Sequence, residues 1–393
     1  MGEAKPGESG AVRPASARLA IAGALATAVA FGPARNGYGL FLPWMREEFG
    51  ISTGVAGLIA SGGYAGHLAA LFAVGAIATR LGPRLPVVAG AISAALGMML
   101  IALSPNALVL AAGVALAASS AGWVWSPYND AAERAVQPAL RARVLSVVST
   151  GTTFGIAGAG VTALVTGDGW RIGWVAFSVV AVVALVCNAA VLPSGNGRPD
   201  GGEEAGLTGV RWLFRGDAVP LFVVATSFGV VSSVYYSFAV DHVSRNGDLT
   251  LPLGAPLGPL MFVVLGAAGV AGFFTGDAIN RLGLRRVLAV ILLSAALSTV
   301  LLGVAPGSLA AAILSAALFG AYVMMISALL AVWSSRVFPE GPSAGFSAAL
   351  IALAVGSVLA PASMGLIAGA FGYQTVFLIC GAIAALTVIV RPR

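Results

Sequence analysis

The sequence has few charged residues and only two cysteines. Charged residues make up 9 % of its 393 positions, whereas hydrophobic residues make up 59 %. Soluble domains carry roughly 25 % charged residues, and disordered chains need high charge with little apolar content, so this composition excludes both classes. Cys187 and Cys380 lie inside apolar runs, and they provide neither a disulfide framework nor a metal-binding cluster.

Signatures of catalysis are also missing. The sequence contains no Walker phosphate-binding loop, so ATP hydrolysis by this chain is not expected. No Ser-His-Asp set and no pair of carboxylates has catalytic spacing, and His67 alone inside an apolar run does not make an intramembrane protease. The sequence therefore predicts a protein that is not an enzyme and that needs neither a cofactor nor a metal.

Apolar runs long enough to cross a bilayer dominate the chain. A helix needs about 20 mostly apolar residues to span the hydrocarbon core, and twelve such runs are bounded by charge, Gly or Pro. They predict an all-α integral membrane protein with twelve transmembrane helices. The predicted spans, numbered one to twelve, are 19–43, 54–78, 85–104, 107–130, 144–166, 171–192, 218–240, 255–278, 286–304, 308–333, 344–368 and 373–390.

Lys and Arg are distributed unevenly between the two sets of loops. With the N-terminus in the cytoplasm, 17 of the 21 basic residues fall on the cytoplasmic side, Arg46, Arg171 and Arg245 fall outside, and Arg35 lies within the membrane. This bias predicts a multi-pass protein of the cell membrane with both termini in the cytoplasm. The net charge of +6 therefore indicates membrane orientation and not a nucleic-acid partner. The preference for Arg over Lys, with much Ala and Gly, indicates a bacterial source.

The longest polar segment divides the chain into two halves of six spans each. This segment, 193–217, is rich in Pro and Gly and is typical of a flexible linker. The predicted organisation is a cytoplasmic tail at 1–18, a first six-helix bundle at 19–192, the cytoplasmic linker at 193–217 and a second bundle at 218–390.

The two halves repeat at an offset of about 201 residues. The segment 75–84 (GAIATRLGPR) between spans two and three is similar to 276–285 (GDAINRLGLR) between spans eight and nine. Gly155 also matches Gly356 in the same order along the chain. Repeated halves of six helices are typical of transporters that bind their substrate between the halves, near the middle of the membrane.

The two repeated loops resemble the GxxxDRxGxRR motif of the major facilitator superfamily, and the chain is similar to that family over essentially its whole length. The resemblance implies two pseudo-symmetric six-helix bundles and a secondary transporter that works by alternating access. Thr79 replaces the acid of the motif and Pro83 follows its second glycine, so the cytoplasmic gate is either weaker or completed by Asp130 and Asp277. The predicted gate and loop residues are Gly75, Arg80, Gly82, Arg84, Asp130, Gly276, Asp277, Arg281, Gly283 and Arg285.

Arg35 is the leading substrate-binding candidate, because a charged side chain at the centre of a membrane helix costs about 2.5–3.5 kcal/mol on insertion scales. The spacing places Phe31, Arg35 and Tyr38 on one face of span one. The family resemblance implies that spans one, four, seven and ten line the cavity. A guanidinium there binds a carboxylate through two parallel hydrogen bonds; the alternative is an arginine that bonds backbone carbonyls or reaches the membrane interface.

Two histidine positions also fall within or beside the spans. His67, near the middle of span two, can titrate near neutral pH and is the proton-coupling candidate; the alternative is a neutral histidine bonded across a helix contact. Asp241 and His242 lie at the outer end of span seven, where they are either solvated or part of an outer gate.

Aromatic residues with polar tips extend the candidate site on the spans that the resemblance places around the cavity. Packing and the aromatic belt at the membrane interface are the alternatives for each of them. The substrate-binding candidates are Arg35, Tyr38, Trp123, Tyr235, Tyr236 and Tyr322.

Three functional hypotheses follow. The segment 31–52 resembles the first helix pair of bacterial monocarboxylate-porter-like members of the family. The charged pair that those members carry in helix eight is missing here. The resemblance favours a proton-coupled carrier of a small organic anion such as a carboxylate. Span five is similar to the glycine-rich helix of drug/proton antiporters, but Ile156 replaces its proline; an exporter of amphipathic drugs or metabolites is the alternative. A non-transporting receptor or scaffold is the third. The expected partners are a small-molecule substrate, protons and membrane lipids, and the expected state is a monomer.

Overall fold

The computed structural model describes residues 14–194, 215–246 and 256–392. The predicted tail at 1–18 and the predicted linker at 193–217 therefore fall largely outside the described residues. The side chains at 76–81, including that of Arg80, and those of Pro14, Pro342 and Ser343 are likewise outside the description.

The described chain is built of long helices, and three of its spans are made of consecutive segments. Span one contains a π-helical turn, and spans four and eight each contain a 3-10 turn. The helix bounds are Pro14–Val29, Ala30–Ala34 and Arg35–Phe49 (span one), Thr53–Leu81 (two), Arg84–Ala102 (three), Ala107–Ser119, Ser120–Trp123 and Trp125–Ala135 (four), Pro138–Thr166 (five), Trp170–Val191 (six), Val219–Asn246 (seven), Leu257–Ala268, Gly269–Phe274 and Thr275–Leu282 (eight), Leu284–Val304 (nine), Leu309–Val337 (ten) and Pro342–Thr387 (eleven and twelve).

A single glycine separates the last two spans. Within the described residues, eleven helical runs are long and apolar enough to cross a membrane. The last of them contains Gly372, whose φ of 80° and ψ of 162° are not helical. The chain reverses at this residue, so the run comprises two spans. The predicted count of twelve is thereby confirmed, although several spans are longer than their apolar cores.

The twelve spans form two groups of six. Spans one to six pack on one another, spans seven to twelve do the same, and the groups meet along three pairs of spans: one with seven, two with eleven and five with eight. The two segments of span one have different neighbours. Its first segment, Pro14–Val29, packs on spans five and six of its own group, whereas Arg35–Phe49 packs on span seven of the other group.

The sequence repeat corresponds to a structural repeat. The second glycine of each repeated loop, Gly82 and Gly283, ends its helix with a positive φ (70° and 84°), a conformation in which a Cβ is unfavourable. In the first group a Cβ on Gly155 would lie 2.1 Å from the Ala28 carbonyl oxygen; in the second, a Cβ on Gly356 would lie 2.5 Å from that of Thr226. Spans one and five therefore pack as spans seven and eleven do.

Two faces of the molecule are used below as reference. The linker face is the membrane surface at which span one begins, span six ends and span seven begins. The opposite face is the surface at which span one ends at Phe49 and span seven ends at Asn246.

Candidate functional site

Two broken helices meet near the middle of the membrane. Pro33 has no N–H to donate to the preceding turn, and span one widens there into the π-helical turn Ala30–Ala34. Span four is interrupted at the same depth by its 3-10 turn, Ser120–Trp123, and the two turns contact each other. Broken helices at mid-membrane depth are typical of transporter binding sites.

A side-chain hydrogen bond within span one bridges the widened turn. The side-chain amide of Asn36 donates to the carbonyl oxygen of Phe31 at 2.6 Å, five residues earlier. This bond spans the irregular turn from its second residue to the residue after Arg35. It also fixes the start of the second segment, whose first residue is Arg35.

Arg35 lies at this break without an acidic partner. None of the ion pairs among the described residues includes it, and its buried Nε has no hydrogen-bond partner. The guanidinium carbon lies 5.7 Å from the ring centre of Phe31 and 5.4 Å from that of Tyr64. Such contacts stabilise a cation by about 0.5–2 kcal/mol, but they leave the N–H groups free to bind an anion.

Arg35 lines a small cavity between the two groups of helices. It has space for about one water molecule, about 10 Å³, so the halves are nearly closed around it. Spans one, two, four and seven contribute to its walls. Its polar lining comprises Arg35, Asn36, Tyr38, Tyr64, Tyr236 and Ser237.

Further polar atoms on the surrounding spans are buried without partners. They are His67 Nδ1 in span two, Ser120 Oγ in span four, the Tyr236 hydroxyl in span seven and the Tyr322 hydroxyl in span ten. An unsatisfied buried polar group costs roughly 1–3 kcal/mol, and folded proteins contain few of them. Of these atoms only the Tyr236 hydroxyl lines the cavity, and the indole N–H groups of Trp174 and Trp333 are also buried without partners.

The structure brings four of the predicted residues together. Arg35, Tyr38 and Tyr236 line the cavity, and the ring centres of His67 and Phe31 are 6.5 Å apart. The hydroxyl of Tyr38 already donates to the carbonyl oxygen of Ala56, at 3.2 Å. Tyr236 keeps its hydroxyl free and is the stronger ligand candidate of the two.

Three other candidates do not line this cavity. The Tyr235 hydroxyl is 3.0 Å from Ser315 Oγ, a contact inside the second group of helices. Tyr322 packs edge-on against Phe228 in the same group. Trp123 packs against span three: a Cβ added to Gly90 would lie 2.6 Å from the Cβ of Trp123.

Tyr64 and Ser237 belong to the cavity lining, although they are not among the predicted site residues. Tyr64 lies three residues before His67, on the same face of span two, and this spacing is the signal that identifies it. Ser237 follows Tyr236 directly. No sequence pattern distinguishes it from Ser232, whose hydroxyl donates to the carbonyl oxygen of Phe228 at 2.6 Å.

At the opposite face the two halves are joined by a buried ion pair. Arg46 in span one donates to Asp241 in span seven at 2.7 Å and to the Tyr373 hydroxyl in span twelve at 2.9 Å. Tyr373 donates to Asp241 at 2.5 Å. Asp241 is only 2 % exposed and also pairs with Arg245 of its own helix at 3.2 Å, so it is not solvated, which was one of the two alternatives for this residue. Arg46, Asp241 and Tyr373 are called the latch below.

The backbones of the halves also approach closely near the latch. A Cβ on Gly39 would lie 1.8 Å from the Tyr236 carbonyl oxygen, and one on Gly57 would lie 2.2 Å from the Pro361 carbonyl oxygen. The latch and these contacts join the two halves on the side of the cavity that faces the opposite face.

The predicted gate residues lie at the linker face. Asp130 pairs with Arg134 of its own helix at 2.9 Å. Asp277 and Arg281 are exposed. A Cβ at Gly75 or Gly276 would meet no atom within 4 Å. Arg84 is partly buried and Arg285 is exposed. Among the described side chains, none of these residues forms an ion pair between the halves.

A family model and a sequence relative each match most of the chain. The model of the Major Facilitator Superfamily matches residues 23–353. The chain is similar to the transcription regulatory protein OpdE of Pseudomonas aeruginosa, with 29 % identity over 362 residues, 89 % of this chain and 87 % of the relative.

Solved structures show the same fold. A mutant of the nucleoside transporter NupG has a TM-score of 0.80 at 11 % identity, covering 95 % of this chain and 98 % of its own. A mutant of the peptide transporter POT has a TM-score of 0.79 at 14 % identity, covering 98 % of this chain and 94 % of its own.

Proposed function

The chain belongs to the Major Facilitator Superfamily, and from that premise we propose that it moves a small organic anion, such as a carboxylate, across the cell membrane by alternating access. In this proposal the linker face is cytoplasmic, the two six-helix groups rock around the cavity, and the segment 193–217 connects them. The protein acts as a monomer embedded in lipid.

One observation carries the choice of an anion. The guanidinium of Arg35 lies at a break in span one, between two aromatic rings and without an acidic partner. A buried cation of this kind is costly unless a counter-charge binds it. A carboxylate supplies that charge and accepts two parallel hydrogen bonds from the guanidinium.

A proton gradient is the proposed driving force, with His67 as the coupling residue. His67 is buried in span two, beside Phe31, and its Nδ1 has no partner. Binding of a proton there adds a positive charge close to the anion site. An anion and a proton would therefore favour each other's binding, as coupled transport requires.

Binding to the detergent-purified protein tests the substrate class. A ligand that binds the folded state raises the melting temperature, and the panel holds small carboxylates, neutral sugars, amino acids and lipophilic cations. We expect stabilisation by carboxylates. In Arg35→Ala the loss of even one charge-assisted hydrogen bond, roughly 1.5–3 kcal/mol, weakens binding by about 10- to 150-fold, and the loss of both weakens it further. Arg143→Ala, which removes an exposed arginine, is the matched control.

Two outcomes contradict the proposal. Carboxylate binding that survives in both Arg35→Ala and Arg35→Lys removes Arg35 from the site. Stabilisation by lipophilic cations, with carboxylates inert, replaces the anion carrier by an exporter of amphipathic compounds.

A second candidate function comes from one relative. OpdE is named a transcription regulatory protein, which favours a membrane sensor that binds a solute without transporting it. Reconstituted vesicles distinguish the two: a carrier accumulates or exchanges labelled substrate, whereas a sensor binds the same ligand with no flux.

A further inference from the structure

A second pocket lies at the linker face of the second group of helices, far from the latch. It has a volume of about 660 Å³, within the range of roughly 300–1,000 Å³ that ligand pockets occupy. The start of span seven, the start of span nine and the end of span twelve surround it. Its walls include Val219, Pro220, Arg285, Ile389, Val390 and Arg391.

Two arginines give this pocket its charge. Arg285 comes from the beginning of span nine and Arg391 from the residues after span twelve. Neither belongs to an ion pair among the described residues. Arg215 nearby in sequence is engaged elsewhere, since it pairs with Glu340 at 3.1 Å. Asp217 is exposed in the same turn and is not part of the lining.

The rest of the pocket is apolar and continues along the outside of the helices. Val219 is 54 % exposed and Ile389 is 73 % exposed. One turn deeper in the same spans, Val223 and Leu386 are also exposed. The pocket therefore offers two cations at the membrane surface, followed by an apolar strip that runs into the membrane.

We propose that this pocket, formed by Arg285, Arg391 and the ends of spans seven, nine and twelve, binds the phosphate of an anionic phospholipid whose acyl chains follow the apolar strip. Basic pockets between membrane helices on the cytoplasmic side bind anionic headgroups in this way. Guanidinium groups bind phosphate oxygens through charge-assisted hydrogen bonds, and the apolar strip favours a membrane lipid over a soluble phosphate. The site is independent of Arg35 and of the transported solute.

Retention of lipid by the full-length protein tests this site. The detergent-purified protein is titrated with phosphatidylglycerol, phosphatidylcholine and soluble sn-glycerol 3-phosphate, and bound lipid is counted by native mass spectrometry. We expect tighter binding of phosphatidylglycerol than of the other two. Arg285→Gln and Arg391→Gln each weaken it about fivefold. Arg286→Gln removes an adjacent exposed arginine outside the lining and leaves binding unchanged.

Three results overturn the proposal. Equal losses in Arg286→Gln and Arg285→Gln show general attraction of the basic surface for anionic lipid. Equal binding of phosphatidylcholine removes the role of charge, and equal binding of glycerol phosphate makes the pocket an anion site without a lipid. If a Gln variant folds poorly, Arg285→Lys and Arg391→Lys serve instead, because each keeps the charge and should lose only part of the preference.

Discussion

At the scale of single residues, the two histidines differ in their hydrogen-bond partners. His67 is buried with one ring nitrogen unpartnered. Both ring nitrogens of His242 lie within hydrogen-bond distance of a partner: Nε2 is 3.0 Å from the Leu302 carbonyl oxygen and Nδ1 is 3.0 Å from the Asn246 amide. The free nitrogen of His67 is what the proposed coupling role requires, whereas both nitrogens of His242 are engaged.

Replacement of His67 is therefore predicted to uncouple transport. In His67→Gln, exchange of labelled substrate across proteoliposomes should persist, while accumulation driven by an imposed proton gradient should fall at least tenfold. His242→Gln should reduce stability but keep the ratio of accumulation to exchange. Gradient-driven accumulation that survives in His67→Gln assigns the coupling proton to another group.

Neighbouring residues show why the sequence identifies only part of the site. Tyr235 and Tyr236 are both predicted ligands, but successive side chains in a helix point about 100° apart. Tyr236 reaches the cavity and Tyr235 turns to Ser315. Arg35 is identifiable from the sequence alone because a charge in an apolar run is rare. The rotation of each helix depends on its neighbours, and one sequence does not encode that in a readable pattern.

At the scale of the elements, the contact of span one with span seven depends on the absence of a side chain. A Cβ on Gly39 would lie 1.8 Å from the Tyr236 carbonyl oxygen, closer than any real contact. The clash is between spans of different halves and not within one helix. The glycine is therefore required by the contact of the halves in this structure and not by the helix itself.

Gly39→Ala is predicted to shift the protein toward conformations that are open at the opposite face. Alkylation of a cysteine introduced at Ser237, in the cavity, by a reagent added from that face should accelerate. The background lacks Cys187 and Cys380. Gly62→Ala is the matched control, because a Cβ there meets no atom within 4 Å; an equal acceleration in this variant contradicts the explanation.

At the scale of the whole molecule, the latch joins three spans from both halves. Its residues are 195 and 327 positions apart, so the sequence predicts the basic and acidic residues near this face but not their pairing. The twelve spans and the repeat are predictable because apolar length and loop motifs are local properties. The pairing of Asp241 with Arg245, four residues along the same helix, is local, whereas its pairing with Arg46 is decided by how the halves dock.

Loss of one latch partner is predicted to favour opening of the opposite face. Removing one member of a buried ion pair costs about 3–5 kcal/mol, here only in the closed state, so Asp241→Asn should increase the open-to-closed ratio by roughly two to three orders of magnitude. Distances between spin labels at Glu47 and Ser244 measure this ratio.

Glu48→Gln is the control for the latch, since Glu48 pairs with Arg171 inside the first half. It should leave the distance distribution unchanged. An unchanged distance distribution in Asp241→Asn would show that the ion pair does not stabilise the closed state. In the double variant with Arg46→Gln, we expect partial recovery of the closed state, because no buried charge is then left without a partner.

Span one changes partners at its broken turn. Its first segment packs on spans five and six of its own half. Its second segment packs on span seven of the other half, and Glu48 also ties it to Arg171 in span six. Arg35 is the first residue after the widened turn Ala30–Ala34, which joins the two segments. A ligand bound to its guanidinium would therefore lie both where span one bends and where the two halves meet, with no relay of side chains between recognition and motion.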